Sequence, residues 1–378
     1  MQQIVKHLLA ACIFAAASFT ARAQAPRYKW NELPVKGLMM SVPAKQDVGV
    51  FCDFVRNALP KEGVNTLAIR IEGMYQYKTH PELAEKNALS ESDMKQIVKA
   101  CRDAKIRFIP MMNLLAHQSE GSDIGLLLKA YPQFDESPDL NPPKPWVSGG
   151  MFDFYSKSLC PRHPDLLKVL FPMMDELVEV CETDALHVGL DEVWIIGHDK
   201  CPRCGGGDKS AIFAEYVNKL NTHLQSKGVE MWMWSDRLID GKTTNLLAWQ
   251  ASMNDTHRAI DQISKDIVIC DWKYESAPPT PGYLALKGFN VLASPCSKTD
   301  VAIDQLNQVL NIRKDGTRAE WAQPLGERMK GVFETMWFNS KEFIDAYYGR
   351  GEYRQLAKDN VETFKALFKA VREAEKKK

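Results

Sequence analysis

The sequence carries no excess of either charge: 48 lysines and arginines stand against 48 aspartates and glutamates in 378 residues. Without a basic surplus, the chain lacks the electrostatic footprint from which nucleic-acid binding draws its affinity, so no nucleic-acid partner is expected. Cysteine is scarce, nine residues in all, which excludes a disulfide-dense miniprotein. There is no solenoid repeat and no low-complexity linker. Beyond the N-terminus no run approaches the ~20 apolar residues needed to cross a bilayer. Disorder is excluded by content, since 45% of the residues are hydrophobic and 25% charged, ample apolar surface with little net charge. The length suits one large domain or two ordinary ones.

The first residues read as a leader. Lys6 and His7 precede an apolar run from Leu8 to Phe19, and Ala21-Arg22-Ala23 forms a small-residue cleavage site, the three parts of a secretory signal. Leu9-Ala10-Ala11-Cys12 has the look of a lipoprotein box, but anchoring at Cys12 would cut the apolar run in half. The expectation is a signal peptide over 1–23 and an exported bacterial protein, periplasmic or secreted, that is soluble and free of the membrane after cleavage. A short extension over 24–35 precedes a main domain over 36–345, and 346–378 forms a helical C-terminal extension.

Within that domain, short β-rich runs alternate with amphipathic stretches. The expected strands are Lys36–Val42, Thr66–Glu72, Arg107–Asn113, Ala185–Asp191, Val229–Trp234, Ile267–Trp272, Asn290–Ser294 and Gly331–Trp337. Helical patterns fall at Asp47–Leu59, Glu91–Ala104, Pro164–Val180, Lys209–Ser226, Asp255–Ser264 and Asp300–Ile312. Glycines at 37, 63, 228, 288 and 331 stand before strands, where a left-handed helix end lets the chain turn back. Eight such units imply an α/β protein with a (β/α)8 TIM barrel. A doubly wound open sheet is the rival, weakened because no glycine-rich phosphate loop follows the first strand. The irregular segment 134–159, with Asn141-Pro142-Pro143 and Gly149-Gly150, is expected as a loop over the barrel mouth.

Asp191 and Glu192 end the fourth expected strand, in Leu186-His187-Val188-Gly189-Leu190-Asp191-Glu192-Val193-Trp194. Barrel enzymes carry their chemistry at the C-terminal ends of strands. Neighbours inside a strand face opposite sides, but a bend past the strand end can bring both carboxylates to one pocket. Two carboxyl groups in different surroundings can then divide the roles of acid and ionised partner. The plainer alternative, a surface pair capping the next helix, is disfavoured by His187 and Gly189 at two-residue spacing on an apolar strand.

The stretch resembles the His-x-Gly-Gly-Asp-Glu motif of glycoside hydrolase family 20, the β-N-acetylhexosaminidases. Ile109–Asn113 followed by His117, Leu159-Cys160-Pro161, Trp234-Ser235-Asp236 and Gly331–Trp337 are similar to further segments of that family, in the same order. The resemblance runs from about residue 36 to 345. It implies an exported hydrolase, without cofactor, that removes a terminal N-acetylhexosamine from a glycan with help from the substrate's own acetamido oxygen. By resemblance Glu192 is the general acid and base, and Asp191 holds the acetamido N–H. Trp234, Trp272 and Trp337 wall the acetamido pocket, while His117, His187 and Asp236 belong to the site. Trp232 shares a face with Trp234, so one of the two is expected to fill the barrel.

Four departures stand out. Leu190 replaces the motif's second glycine. The family's first-strand arginine has no counterpart, and Lys36 is the nearest cation. Asn339 replaces a carboxylate after Trp337, and the small domain that usually precedes the barrel has no room. Arg70 shares a face with Glu72, so it either pairs with that carboxylate inside the barrel or contacts sugar. Other classes therefore remain open: a glycan-binding protein without catalysis, or a conventional glycosidase with Glu275 or Glu334 as nucleophile. Cys201-Pro202-Arg203-Cys204 is expected to form a local disulfide. A metal there would need more ligands, with His198 and Cys160 as candidates. Oligomeric state, sugar and linkage are not legible.

Overall fold

In a computed structural model, residues 28–141 and 157–377 are described. The expected signal at 1–23 and the central part of the 134–159 loop lie outside them. Eight parallel strands close a barrel: β1 (Val35–Ser41), β2 (Thr66–Arg70), β3 (Arg107–Met111), β4 (Ala185–His187), β5 (Glu230–Trp234), β6 (Val268–Trp272), β7 (Asn290–Ser294) and β8 (Met329–Thr335). Each pairs with its neighbours in sequence, and β8 returns to β1 with Val35 opposite Gly331 and Met39 opposite Thr335. This is the (β/α)8 architecture expected from the alternation of elements.

Helices α1 (Val48–Asn57), α2 (Glu91–Asp103), α3 (Leu166–Cys181), α4 (Lys209–Ser226), α5 (Thr280–Leu286), α6 (Thr299–Asp315), α7 (Ser340–Tyr348) and α8 (Gln355–Glu375) surround it. Ser90 and Asp93 start α2 with a reciprocal capping box, which satisfies two N–H groups that have no partner within the helix. The expected helix at 255–264 is instead a 3-10 turn over Thr256–Asp261. Asp255 takes a left-handed φ of 67° there, and the buried Thr256 hydroxyl is drawn to Ser252 and the Arg237 carbonyl, so regular helix cannot start.

Two apolar layers follow from the alternation of side chains along each strand. Leu38, Leu67, Leu186 and Val332 point outward into a large core shared with the helices. Met39, Ala68, Ile109, Trp232, Cys270, Leu292 and Phe333 fill the barrel. Trp232 is the tryptophan that plugs the interior, its indole N–H donating to Glu230 near the N-terminal end of β5. That same end is closed by the segment leading into β1 and by the end of α8. Asn31 donates to the last carbonyls of α8, Lys36 bonds Glu375 at 2.7 Å, and Arg313 gathers the carbonyls of Lys29, Trp30 and Glu32.

Glycines 63, 228 and 288 take the left-handed form expected before strands. Gly37 and Gly331 lie within strands and answer a different need. Gly331 has φ of 144°, and a Cβ there would sit 1.9 Å from the Val35 carbonyl oxygen. Gly331→Ala is therefore expected to destabilise the fold by at least about 2 kcal/mol, from strain alone. Gly49→Ala, in α1 with open space around it, is expected to stabilise by about 0.5–1 kcal/mol. Denaturant melts of the two variants check this, and equal midpoints would contradict it.

Candidate active site

β4 ends at His187, four residues earlier than the expected strand. Gly189 and Leu190 take φ of 70° and 69°, and Glu192 takes 50°, so the ladder cannot continue. The bend turns Asp191 and Glu192 to the same side. His117 stands between them on the loop after β3, with Nε2 3.3 Å from Asp191 Oδ2 and 3.5 Å from Glu192 Oε2. Asn113, at the end of β3, donates to Asp191 Oδ1 at 2.7 Å. Leu190, the residue replacing the motif's glycine, adopts the backbone a glycine would take freely, at an order-of-magnitude cost of about 1–3 kcal/mol. Gly189 stays glycine because a Cβ would lie 2.9 Å from Asn113.

The two neighbouring carboxyls are shifted in opposite directions by their surroundings. Burial pushes Glu192 up to about 8; the Asp191 and Asp236 charges add to this, while His117 and Arg237 subtract. Burial would also raise Asp191, but the His117 charge and hydrogen bond outweigh it and hold the group below its ordinary range. His117 pays for its partial burial yet is lifted to about 9 by Asp191, with Glu192 and Glu72 contributing. At neutral pH the pair is thus one carboxylate and one carboxylic acid beside an imidazolium. His187 lies beneath, fully buried and lowered to about 3 by burial. Its Nδ1 accepts the Gly189 N–H at 3.1 Å, so Nε2 carries the proton.

Aromatic rings line the mouth. Trp234 is buried as its floor, 4.4 Å from His187 and 5.7 Å from Trp337 between ring centres. Trp272 meets Tyr274 at 5.1 Å. The Tyr274 oxygen accepts from Trp337 Nε1 at 2.7 Å and from Thr335 at 2.8 Å. Arg70, at the C-terminal end of β2, lies over Trp337 at 5.6 Å. It forms no ion pair with Glu72; Glu72 lies in a separate turn beyond Ile71.

Several expected residues sit elsewhere or serve differently. Lys36 belongs to the N-terminal end of β1 and pairs with Glu375, at the opposite end of the barrel from the mouth. Asp236 is fully buried behind the pocket, its oxygens taken by Glu192 N–H at 2.9 Å, Arg237 Nε at 2.7 Å and Trp272 Nε1 at 3.2 Å. It positions the site and has no free oxygen face for sugar. Glu275 is exposed and paired with Lys298. Glu334 alternates with the inward Phe333 and so faces the helix layer, where burial raises its pKa well above the usual range. Neither forms a hydrogen bond with Asp191 or Glu192 among the described residues. Cys201 and Cys204 are not joined in a disulfide; Cys160 Sγ sits 3.5 Å from Cys201 Sγ and 3.6 Å from Cys204 Sγ. Asn113, Tyr274 and Arg237 were not among the expected site residues. Asn113 and Tyr274 had a signal in their place just past strand ends; Arg237 had none.

Residues 67–344 match glycosyl hydrolase family 20, catalytic domain. The chain belongs to that family. Among curated proteins none matches. Solved structures share the fold. A Flavobacterium johnsoniae chitobiase aligns at 17% identity and a TM-score of 0.57, over 90% of this chain and 51% of that one. An exo β-N-acetylglucosaminidase from Vibrio harveyi, in complex with N-acetylglucosamine, aligns at 14% and 0.58, over 92% and 59%. A further β-N-acetylhexosaminidase aligns at 15% and 0.59, over 88% and 72%. The chain thus spans little more than half the length of the first two.

The split between the carboxyls is open to direct measurement. In carboxyl-carbon NMR, Glu192 is expected to stay protonated until the pH rises through about 8, while Asp191 stays ionised down to below the ordinary aspartate range. His117→Ala removes a cation that favours both ionised forms, so both titrations move to higher pH. A Glu192 titration near the ordinary value of about 4.3 would contradict the assignment.

Proposed function

We propose that this family 20 chain is a glycoside hydrolase that removes terminal N-acetylhexosamine residues from glycans by substrate-assisted, retaining hydrolysis. One observation carries the reading: adjacent carboxyls at the barrel mouth share His117 beside an aromatic pocket, in surroundings that push their pKa values apart. Aromatic walls offer a sugar ring rigid apolar area at little entropic cost, and Arg70 supplies a cation at the rim in place of Lys36.

In the first step the acetamido oxygen of the bound sugar attacks C1 as the bond from C1 to the leaving oxygen breaks. Glu192 transfers its proton to that oxygen. Asp191 accepts the acetamido N–H and stabilises the oxazolinium charge that develops. Burial keeps Tyr274 protonated, raising its pKa well above the usual range; its oxygen accepts from Thr335 and Trp337, which leaves its own O–H to donate to the acetamido carbonyl. In the second step the Glu192 carboxylate takes a proton from water, which attacks C1 on the face the leaving group occupied. The ring reopens, the amide is restored, and Glu192 ends protonated. No nucleophilic carboxylate is needed, which agrees with Glu275 pairing with Lys298 at the surface and Glu334 facing the helix layer. The leader-like N-terminus supports a further proposal, that the substrate is met outside the cytoplasm.

The test compares aryl β-glycosides of N-acetylglucosamine, N-acetylgalactosamine and plain glucose. Cleavage is expected only for the acetamido sugars. Glu192→Gln should cost about 10²–10⁴-fold in kcat for poor leaving groups, and much less for acidic phenols that depart without a proton. Tyr274→Phe should cost about 10²-fold. Equal cleavage of the plain glucoside would sink the reading. So would a Glu192→Gln loss that ignores the leaving group.

A further inference from the structure

A second group of reactive side chains lies outside the mouth, in the loops that follow β3 and β4. Glu136 belongs to the first loop, Cys160 precedes α3, and Cys201 and Cys204 lie between β4 and α4. All four are buried, and their ligand atoms lie within 4.8 Å of one another. The Cys160 sulfur is 3.5 Å from Cys201 and 3.6 Å from Cys204. A sulfur–sulfur bond is about 2.05 Å, and joining any two of these thiols would strand the third against a buried carboxylate. Tetrahedral coordination fits better: metal–sulfur distances of about 2.3 Å place the sulfurs about 3.8 Å apart.

Glu136 gives an independent indication. Its Oε1 accepts the His198 N–H at 3.0 Å, whereas Oε2 has no hydrogen-bond partner among the described residues, although the side chain is fully buried. A buried carboxylate oxygen without a donor is costly, and a cation in the cluster would satisfy it. The turn holding the two neighbouring cysteines is shaped for the same end. The Gly205 N–H bonds the Cys201 carbonyl at 2.8 Å. A Cβ at Gly205 would lie 2.5 Å from the Asp199 carbonyl oxygen, so the turn admits no side chain there.

We propose that Glu136, Cys160, Cys201 and Cys204 hold one structural zinc ion. Three thiolates select a borderline-soft ion over magnesium or calcium, and each thiol releases its proton to solvent as the ion binds. Four protein ligands leave no position for water or substrate, so the ion stabilises and does not catalyse. It joins the loop after β3, which carries His117 upstream, to the segment that leaves Glu192 for α4. The two loops framing the carboxyl pair are thereby clamped together.

The full chain, produced with zinc in the medium and purified without chelator, is analysed for metal content, intact mass and accessible thiols. About one zinc per chain is expected, with an unaltered mass and these three thiols unreactive until a chelator is added under denaturing conditions. Cys160→Ser and Glu136→Gln should each weaken zinc retention more than about tenfold. Exchange into cobalt(II) should give thiolate-to-metal charge-transfer bands, a readout on the wild-type chain that stands even if a variant folds poorly. Metal below a tenth of an equivalent without cobalt bands would overturn the proposal. A mass two units lower, the mark of a disulfide, in metal-free protein would do so equally.

Discussion

Three donors converge on the buried carboxylate of Asp236: the Glu192 N–H, the Arg237 guanidinium and the Trp272 indole. Arg237 is itself fully enclosed, tied to the carbonyls of Ala248 and Ala251 and lying over Trp194 at 5.0 Å. Breaking a buried pair of this kind strands a charge, at a cost of about 3–5 kcal/mol. What the pair secures is the backbone at Glu192. That residue holds a left-handed φ of 50°, which an ordinary side chain avoids, and the bond from its N–H to Asp236 keeps it there. The bend at 189–192 is what brings two sequence neighbours to one side of the barrel mouth.

Once placed together, the two carboxyls are divided by their surroundings. Burial presses on both. Asp191 has Asn113 and His117 to stabilise its charge, while Glu192 faces the charges of Asp191 and Asp236. The result is the arrangement by which one fold performs acid chemistry at neutral pH: titratable neighbours whose environments drive their pKa values apart. Strain gathers at the same place. His117, Leu190 and Glu192 all have positive φ, and such outliers persist only where surrounding contacts over-determine them.

The barrel was legible because its strands are apolar runs separated by amphipathic helices, a signal local to each segment. Asp191 and Glu192 were legible because they end one of those runs. Lys36 was misplaced since closeness to a strand does not say which end of the barrel a residue occupies; it lies at the start of β1, and the rim cation is Arg70 at the end of β2. Asp236 has the right neighbours in sequence, but its burial depends on Arg237 and Trp272, contacts no local pattern encodes. The cysteine pair was expected to bond internally, because the loop that brings Cys160 and Glu136 beside it is a long-range feature of the fold.

In the proposed mechanism the sugar's own acetamido oxygen attacks C1, and no carboxylate of the protein serves as nucleophile. The most direct measurement compares kcat/KM for aryl glycosides bearing 2-acetamido, 2-fluoroacetamido, 2-difluoroacetamido and 2-trifluoroacetamido groups. Each fluorine withdraws electrons from the carbonyl oxygen and weakens it as a nucleophile while barely changing the shape of the group. A steep, graded fall in rate along the series is the predicted result. A flat series would contradict the account, since the bond to C1 would then be made by some other group.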